Sequence, residues 1–261
     1  MKFGITQGRL TNEKKNVLQK FPKKWENEFN FLKFTQLDYI ELFLENKINL
    51  NNPIWSKIGQ KKLLKKIKKT NLHHHIVCDN YILKKPLNNL NLIKYYKKLF
   101  KCIKAINCKI LIIPIESKHF LRKNQNYLKK FLIFLKKESK KKNIKLSLEV
   151  CVNFNIFYKF LSNKKINNFK ITFDTGNFFL INKNVLQSLE KYYPFINHIH
   201  LKDRNNNGKN VIFGNGKINF KNIFIFLKKK KYNKYFTFET NRGNIALDTA
   251  TKNLEKINKL I

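Results

Sequence analysis

Short apolar runs of strand character alternate along the whole chain with longer, lysine-studded stretches of helical period, and this alternation restricts the fold most. The strand candidates are Lys2–Thr6, Tyr39–Phe43, Leu72–Cys78, Lys109–Ile115, Lys145–Val150, Lys170–Phe173, His198–Leu201 and Tyr235–Phe238. Helical stretches lie near Lys24–Thr35, Pro53–Lys69, Leu90–Ala105, Asn124–Lys141, Phe154–Leu161, Asn184–Tyr193 and Phe220–Lys230, with a last one at Asp248–Leu260. Eight strand–helix units in 261 residues, with no linker rich in Pro, Gly or Ser, predict an α/β chain folded as a (β/α)8 TIM barrel. A single domain over 1–261 follows. The alternative, an open doubly wound sheet, usually carries a GxGxxG loop after its first strand, and Gly4-Ile-Thr-Gln-Gly8 does not match it.

The charge looks at first like the better clue. The formal net charge is +39, which suggests a nucleic-acid partner. However, only four of the 55 basic residues are Arg (Arg9, Arg122, Arg204 and Arg242), and Arg is the usual bidentate reader of phosphate and guanine. Lysine runs such as Lys228–Lys231 close helices, where they complement the helix dipole. The excess therefore reads as solvated helix faces, with nucleic acid disfavoured as a partner. A hydrophobic share of 43% excludes a disordered basic tail. No run approaches the ~20 apolar residues of a membrane helix. The opening residues lack the apolar stretch of a signal peptide, and Cys78, Cys102, Cys108 and Cys151 show no CxxC spacing. A cytoplasmic, reducing setting without a membrane is expected.

The rare residues are placed more informatively than the common ones. A TIM barrel carries its active site at the C-terminal ends of the strands. Seven of the 16 acids fall at or just past such an end: Glu41, Asp79, Glu116, Glu149, Asp174, Asp203 and Glu239. So do Arg9, Arg204 and Arg242. The fifth strand ends in Leu146-Ser-Leu-Glu149 and the sixth in Thr172-Phe-Asp174-Thr-Gly-Asn. His198 and His200 share one face of the seventh by period-2 alternation, and Phe236-Thr-Phe-Glu239 ends the eighth. Glu149, Asp174, His200 and Glu239 thus converge above the barrel axis. Three carboxylates so close repel one another unless a divalent cation sits among them. Three hard oxygens and one imidazole suit Mn2+, Mg2+ or Co2+, with Zn2+ as a further alternative. A lone strand-end Asp often just caps the next helix, so the inference rests on four in register. His73, His74 and His75 cannot all face one ion from a strand, and they read as barrel filling.

The opening GITQGRL, the Trp25–Phe29 helix followed by LDYIE, and the DTGN, HIHLKDR, FGNGKINF and FTFETNRG segments resemble the xylose isomerase-like TIM barrel superfamily, which includes relatives of AP endonuclease family 2. More narrowly they are similar to its sugar phosphate isomerase/epimerase members. The resemblance implies one Mn2+-type ion held by Glu149, Asp174, His200 and Glu239. It also implies a small sugar or sugar phosphate as partner, and relatives of this kind often form homo-oligomers. Endonuclease IV shares the barrel, but its trinuclear zinc site needs further histidines. Asn177 stands where one is required, and 205–213 contains no His.

The activity implied is metal-dependent epimerisation or isomerisation through an enediolate. Glu149 and Glu239 are the expected proton-transfer pair: one abstracts, and the other returns a proton to the opposite face. If one glutamate served both steps, aldose–ketose isomerisation would result. Arg9, Arg204 and Arg242 are expected to clamp phosphate or carboxylate through their planar forks. Glu41, Asp79 and His198 are expected to contact substrate, while Asp203 could instead pair with Arg204 or hold Lys202. An endonuclease IV-like abasic-site DNA endonuclease and a polyol dehydratase or lyase are the competing activities.

Overall fold

Eight parallel strands close on themselves in the computed structural model, which describes residues 1–12, 18, 20–68, 70, 75–162 and 168–261. In chain order they are β1 (Lys2–Thr6), β2 (Tyr39–Leu44), β3 (His75–Asp79), β4 (Cys108–Glu116), β5 (Lys145–Cys151), β6 (Lys170–Asp174) and β7 (Ile196–Leu201). A two-stranded antiparallel ribbon, β8 (Asp203–Arg204) and β9 (Asn210–Val211), precedes the eighth barrel strand, β10 (Tyr235–Phe238). Strand order around the barrel is β1-β10-β7-β6-β5-β4-β3-β2. This is the TIM barrel anticipated from the alternation. His73 and His74 lie outside the described residues, and His75 is buried.

Contacts gather the chain into two compact units, residues 42–171 and residues 1–41 with 172–261. In the first, α3 (Leu90–Ala105) buries Leu92, Tyr95, Tyr96, Leu99, Phe100 and Ile103 on one face, at the three- and four-residue spacing of an amphipathic helix. The Asn89 side chain caps it by accepting from the Asn91 N–H at 2.8 Å. The longer α4 (Gln125–Lys142) stops where Asn143 takes a left-handed conformation, φ 54°, with three lysines in its last turn. Ser56 interrupts the expected 53–69 helix with extended backbone. It leaves a 3-10 turn at Pro53–Trp55 and then caps α2 (Lys57–Ile67) by accepting from the Gly59 N–H at 3.0 Å.

In the second unit, α1 (Trp25–Leu32) packs Trp25 edge-on to Phe29. A helix outside the expected set, α6 (Thr175–Ile181), follows β6 directly, and Phe178 stacks on Phe173 at 4.2 Å. The start Thr-Gly-Asn hides it, because Gly opposes helix by about 1 kcal/mol. Asp174 reverses that preference by accepting from the Asn177 N–H at 2.8 Å. The helices α7 (Val185–Tyr192), α8 (Phe220–Lys229) and α9 (Ala246–Asn258) complete this unit, and α5 (Phe154–Leu161) belongs to the first. Phe213 tucks against Phe220 at 4.3 Å and so closes the loop that follows the ribbon.

Candidate metal centre

The sequence places His198 and His200 two apart on β7, so both point to the same face, and both are buried. Across the sheet, Thr237 of β10 lies in register with His200. Its hydroxyl donates to Glu41 Oε2 at 2.9 Å and lies 2.8 Å from His198 Nε2. Glu41, at the end of β2, is fully buried, and His200 Nε2 stands 3.1 Å from its carboxylate. His198 Nε2 is 3.2 Å from the same group. Burial by itself would raise the Glu41 pKa, but the two imidazoles beside it outweigh burial and hold it at about 2. Burial lowers the His198 pKa, against the pull of Glu41. Glu41 and His198, both expected at a sugar, meet each other here, and Glu41 Oε2 is the oxygen that serves Thr237 and His200.

On the other side of the ring, His200 Nδ1 lies 3.2 Å from Glu239 Oε2. Asp174 is fully buried at the end of β6. Between these carboxylates sits the ammonium of Lys202, a residue considered from sequence only as a partner for Asp203. Lys202 Nζ lies 2.6 Å from Asp174 Oδ2 and 3.1 Å from Glu239 Oε2. Burial alone would push the Glu239 pKa up; Lys202 and His200 outweigh it and hold the carboxyl well below the usual range. Among the described residues, Asp174, His200 and Glu239 offer ligand atoms within 4.8 Å of one another, as do Glu41, His198 and His200.

The donor chemistry fits a divalent ion. Asp174 and Glu239 share one ammonium, and Glu41 adds a third buried carboxylate on the far side of His200. The bond from His200 Nε2–H to Glu41 is the arrangement that fixes a metal-ligating imidazole in one tautomer. Glu149 stands at the end of β5, paired in register with Pro114 of β4, and is nearly buried.

Lys202 was not legible from its residue type. It lies one residue past β7, on the rim that the acids mark, but a lysine among 51 carries no signal. What fixes it is Thr175, whose hydroxyl donates to the Lys202 carbonyl at 2.7 Å and accepts from its N–H at 2.9 Å. Gly176 supplies the space. A Cβ there would stand 2.7 Å from Lys202 Cγ, closer than such atoms approach. Gly176→Ala should therefore push the ammonium off Asp174 and lower stability by about 1–3 kcal/mol. Denaturant midpoints with an unchanged slope check this; an unaffected midpoint contradicts it.

The three arginines expected at a substrate anion reach carbonyl oxygens in this structure. Arg204 donates from Nε to the Gly176 carbonyl at 2.7 Å, from Nη1 to the Gly208 carbonyl at 2.6 Å and from Nη2 to Asn177 Oδ1 at 3.2 Å. Arg9 donates to the Thr240 and Leu18 carbonyls, and Arg242 to the Gly8 carbonyl at 2.9 Å. Both are buried, and they cross-staple the loops after β1 and β10. Arg9 Nη2 is buried without a hydrogen-bond partner. Asp79 is fully buried, accepts from the Tyr95 hydroxyl at 2.7 Å, and burial raises its pKa to about 6.

Two further acids hold loops. Asp203 binds neither Lys202 nor the Arg204 guanidinium. It accepts from the backbone N–H groups of Arg204, Gly214 and Gly216 at 2.8–2.9 Å. A Cβ on Gly216 would reach within 2.0 Å of its Oδ1, which explains the glycine in FGNGKINF. Glu28, which the sequence reading did not single out, is fully buried in α1. It accepts from the N–H groups of Gly8 and Leu10 at 2.8–3.1 Å; burial raises its pKa to about 7.

The same barrel recurs in solved structures. D-allulose 3-epimerase from a Methylomonas species superposes with a TM-score of 0.78 at 15% identity, covering 100% of this chain and 98% of that one. The 3-keto-D-glucoside 4-epimerase of E. coli gives 0.74 at 16% identity, with 99% of each chain covered. The IOLI protein, solved with a bound zinc atom, gives 0.68 at 16% identity, covering 100% of this chain and 96% of that one. No curated protein matches the sequence. A family model described as xylose isomerase-like TIM barrel matches residues 30–260. Nearly the whole barrel, with every residue of the acidic and histidine cluster, lies inside that match, and the chain belongs to the xylose isomerase-like TIM barrel family.

Proposed function

We propose that this chain is a divalent-metal-dependent sugar or sugar phosphate isomerase/epimerase that acts as one domain. The observation that carries the reading is the buried cluster in which Asp174, His200 and Glu239 converge while Glu41 orients the imidazole from behind. Glu149 joins them as the fourth ligand from the end of β5. A neutral binding barrel has no need to bury so many carboxylates, since each unpaired ion costs several kcal/mol to desolvate. An ion held there supplies Lewis-acid polarisation of a substrate carbonyl, with Mn2+ the first choice for this donor set. The relatives of similar fold include epimerases of allulose and of a keto-glucoside, which supports a ketose as substrate.

The chain's own residues then divide the work. Glu149 and Glu239 move the proton at the carbon beside the carbonyl, one on each face. Glu41 is a positioning residue, because it touches His200 and not the reacting atoms. Lys202 offsets negative charge at Asp174 and Glu239, the end of the site where an oxyanion develops. Asn177 stands where a nuclease of the endonuclease IV kind needs histidine, and its side chain accepts from Arg204 instead.

Proton exchange in D2O against a panel of ketoses and ketose phosphates tests the reading, because it registers enolisation without knowledge of the product. Exchange is expected with at least one ketose, lost on chelation and restored best by Mn2+. No exchange with any ketose in metal-loaded protein, or exchange indifferent to chelation, sinks it.

A further inference from the structure

The loop after β1 is built around a carboxylate. Glu28 of α1 is fully buried, and its oxygens accept from the Gly8 N–H at 2.8 and 2.9 Å, from the Leu10 N–H at 3.1 Å and from the Thr11 hydroxyl at 3.3 Å. Gly8 and Leu10 flank Arg9, so the carboxylate grips the chain on both sides of that residue. The Gln7 N–H donates to the Glu41 carbonyl at 2.9 Å and the Arg9 N–H to the Thr6 carbonyl at 3.2 Å. Each residue from 7 to 11 is thus tied by a hydrogen bond.

The rigid loop delivers one guanidinium. Arg9 is buried, and its Nε–H donates at 3.0 Å to the carbonyl of Thr240, the residue directly after Glu239. Arg242 returns the contact, from Nη1 to the Gly8 carbonyl at 2.9 Å. Asn253 of α9 holds Thr240 as well, its Nδ2 donating to the threonine hydroxyl at 3.1 Å. Burial lowers the Arg9 pKa to about 10, and Glu239 is the charge that opposes this most; at neutral pH the group is still a cation. On Glu239, in turn, Arg9 joins Lys202 and His200 in outweighing burial. A chain that otherwise uses lysine keeps one of its four arginines here, and arginine holds its charge on burial where lysine loses it.

We infer that Arg9 is a positioning residue for Glu239: it anchors the adjoining backbone through the Thr240 carbonyl, adds a fixed positive charge to the surroundings of the carboxylate, and depends on Glu28 for its own place. Lys202 touches a Glu239 oxygen directly, whereas Arg9 acts through the backbone and through space, which leaves the oxygens to an ion and a proton. The effect on turnover rests on the isomerase/epimerase reading; the coupling of Arg9 to Glu239 does not.

A double-mutant cycle in metal-free protein, read by chemical denaturation, is the test. Glu239→Gln should lower the unfolding midpoint of the parent, because buried cations then face one carboxylate fewer. The same substitution should cost clearly less in Arg9→Gln, where one of those cations is gone, and as much as in the parent in Arg9→Lys, which keeps the charge. Should Arg9→Gln fail to fold, Glu28→Gln takes its place in the cycle, since it loosens the loop that carries Arg9. Additive midpoint losses overturn the coupling.

Turnover supplies the second readout. Arg9→Gln should lower kcat roughly 10- to 100-fold, the scale on which a displaced catalytic group loses rate, with KM close to that of the parent. Arg9→Lys should recover part of the loss. A higher KM for a ketose phosphate alone, at unchanged kcat, would make Arg9 an anion clamp and overturn the positioning role, as would unchanged kcat and KM together. If the parent exchanges no ketose proton at all, the isomerase/epimerase reading falls, and the cycle still decides whether Arg9 and Glu239 act as one unit.

Discussion

Glu239→Gln should lower kcat by roughly 10³-fold or more, the range expected when a proton-transfer group is lost together with a metal ligand. Gln preserves shape and hydrogen bonding but removes the charge. Asp174 still holds Lys202 at 2.6 Å, so the fold should persist. The unfolding midpoint and far-UV spectrum check the fold, and elemental analysis checks the ion. Glu149→Gln should behave alike, since each glutamate serves one face of the reacting carbon. If only Glu149→Gln lost activity, one carboxylate would suffice for both transfers, as in aldose–ketose isomerisation. Full turnover in Glu239→Gln would remove it from the chemistry altogether.

Lys202→Met should move two quantities in opposite directions. Without metal, the variant leaves Asp174 and Glu239 buried with no ammonium between them, and breaking a buried pair on one side costs about 3–5 kcal/mol. With a divalent ion, the same loss of positive charge should tighten binding, because the ion no longer shares its carboxylates with a competing cation. Chemical denaturation in chelator and in Mn2+ measures both. Saturation at 100 times Kd adds about 2.7 kcal/mol, enough to recover much of the deficit. A variant that is as stable as the parent in chelator would show that the ammonium does not bridge the carboxylates in solution. Weaker Mn2+ binding would show that Lys202 supports the ion and does not compete with it.

Much of this was legible in the sequence because strands impose two simple rules. Side chains alternate with period 2, so His198 and His200 had to share a face, and the residue after a run of apolar β-branched positions had to lie near the rim. Asp174 and Glu239 were located in this way, before any coordinates. Helix existence followed from apolar spacing, and it failed where a cap outweighed propensity, as Asp174 does for α6. The roles of Glu41, Asp79 and the three arginines were less legible. Strand-end position says that a side chain is near the rim but not what it meets there.

The sequence by itself determined the barrel, the rim and the candidate ligands, because those depend on hydrophobic period and on which residues end each strand. It also showed that a charge of +39 is not the functional signal, since the informative charges are a minority outside the lysine-rich helices. Only the tertiary structure decided what each charge does. Glu41 belongs to two histidines because β2, β7 and β10 bring their inward side chains to one point, in a register that no local spacing encodes. Arg9 and Arg242 are staples because the loops that follow neighbouring strands cross there and leave carbonyls to be met. Lys202 sits between carboxylates because Gly176 lacks a Cβ and Thr175 pins its backbone. Long flexible side chains reach whichever partner the sheet places within range, and that range is set by neighbours far away in the chain.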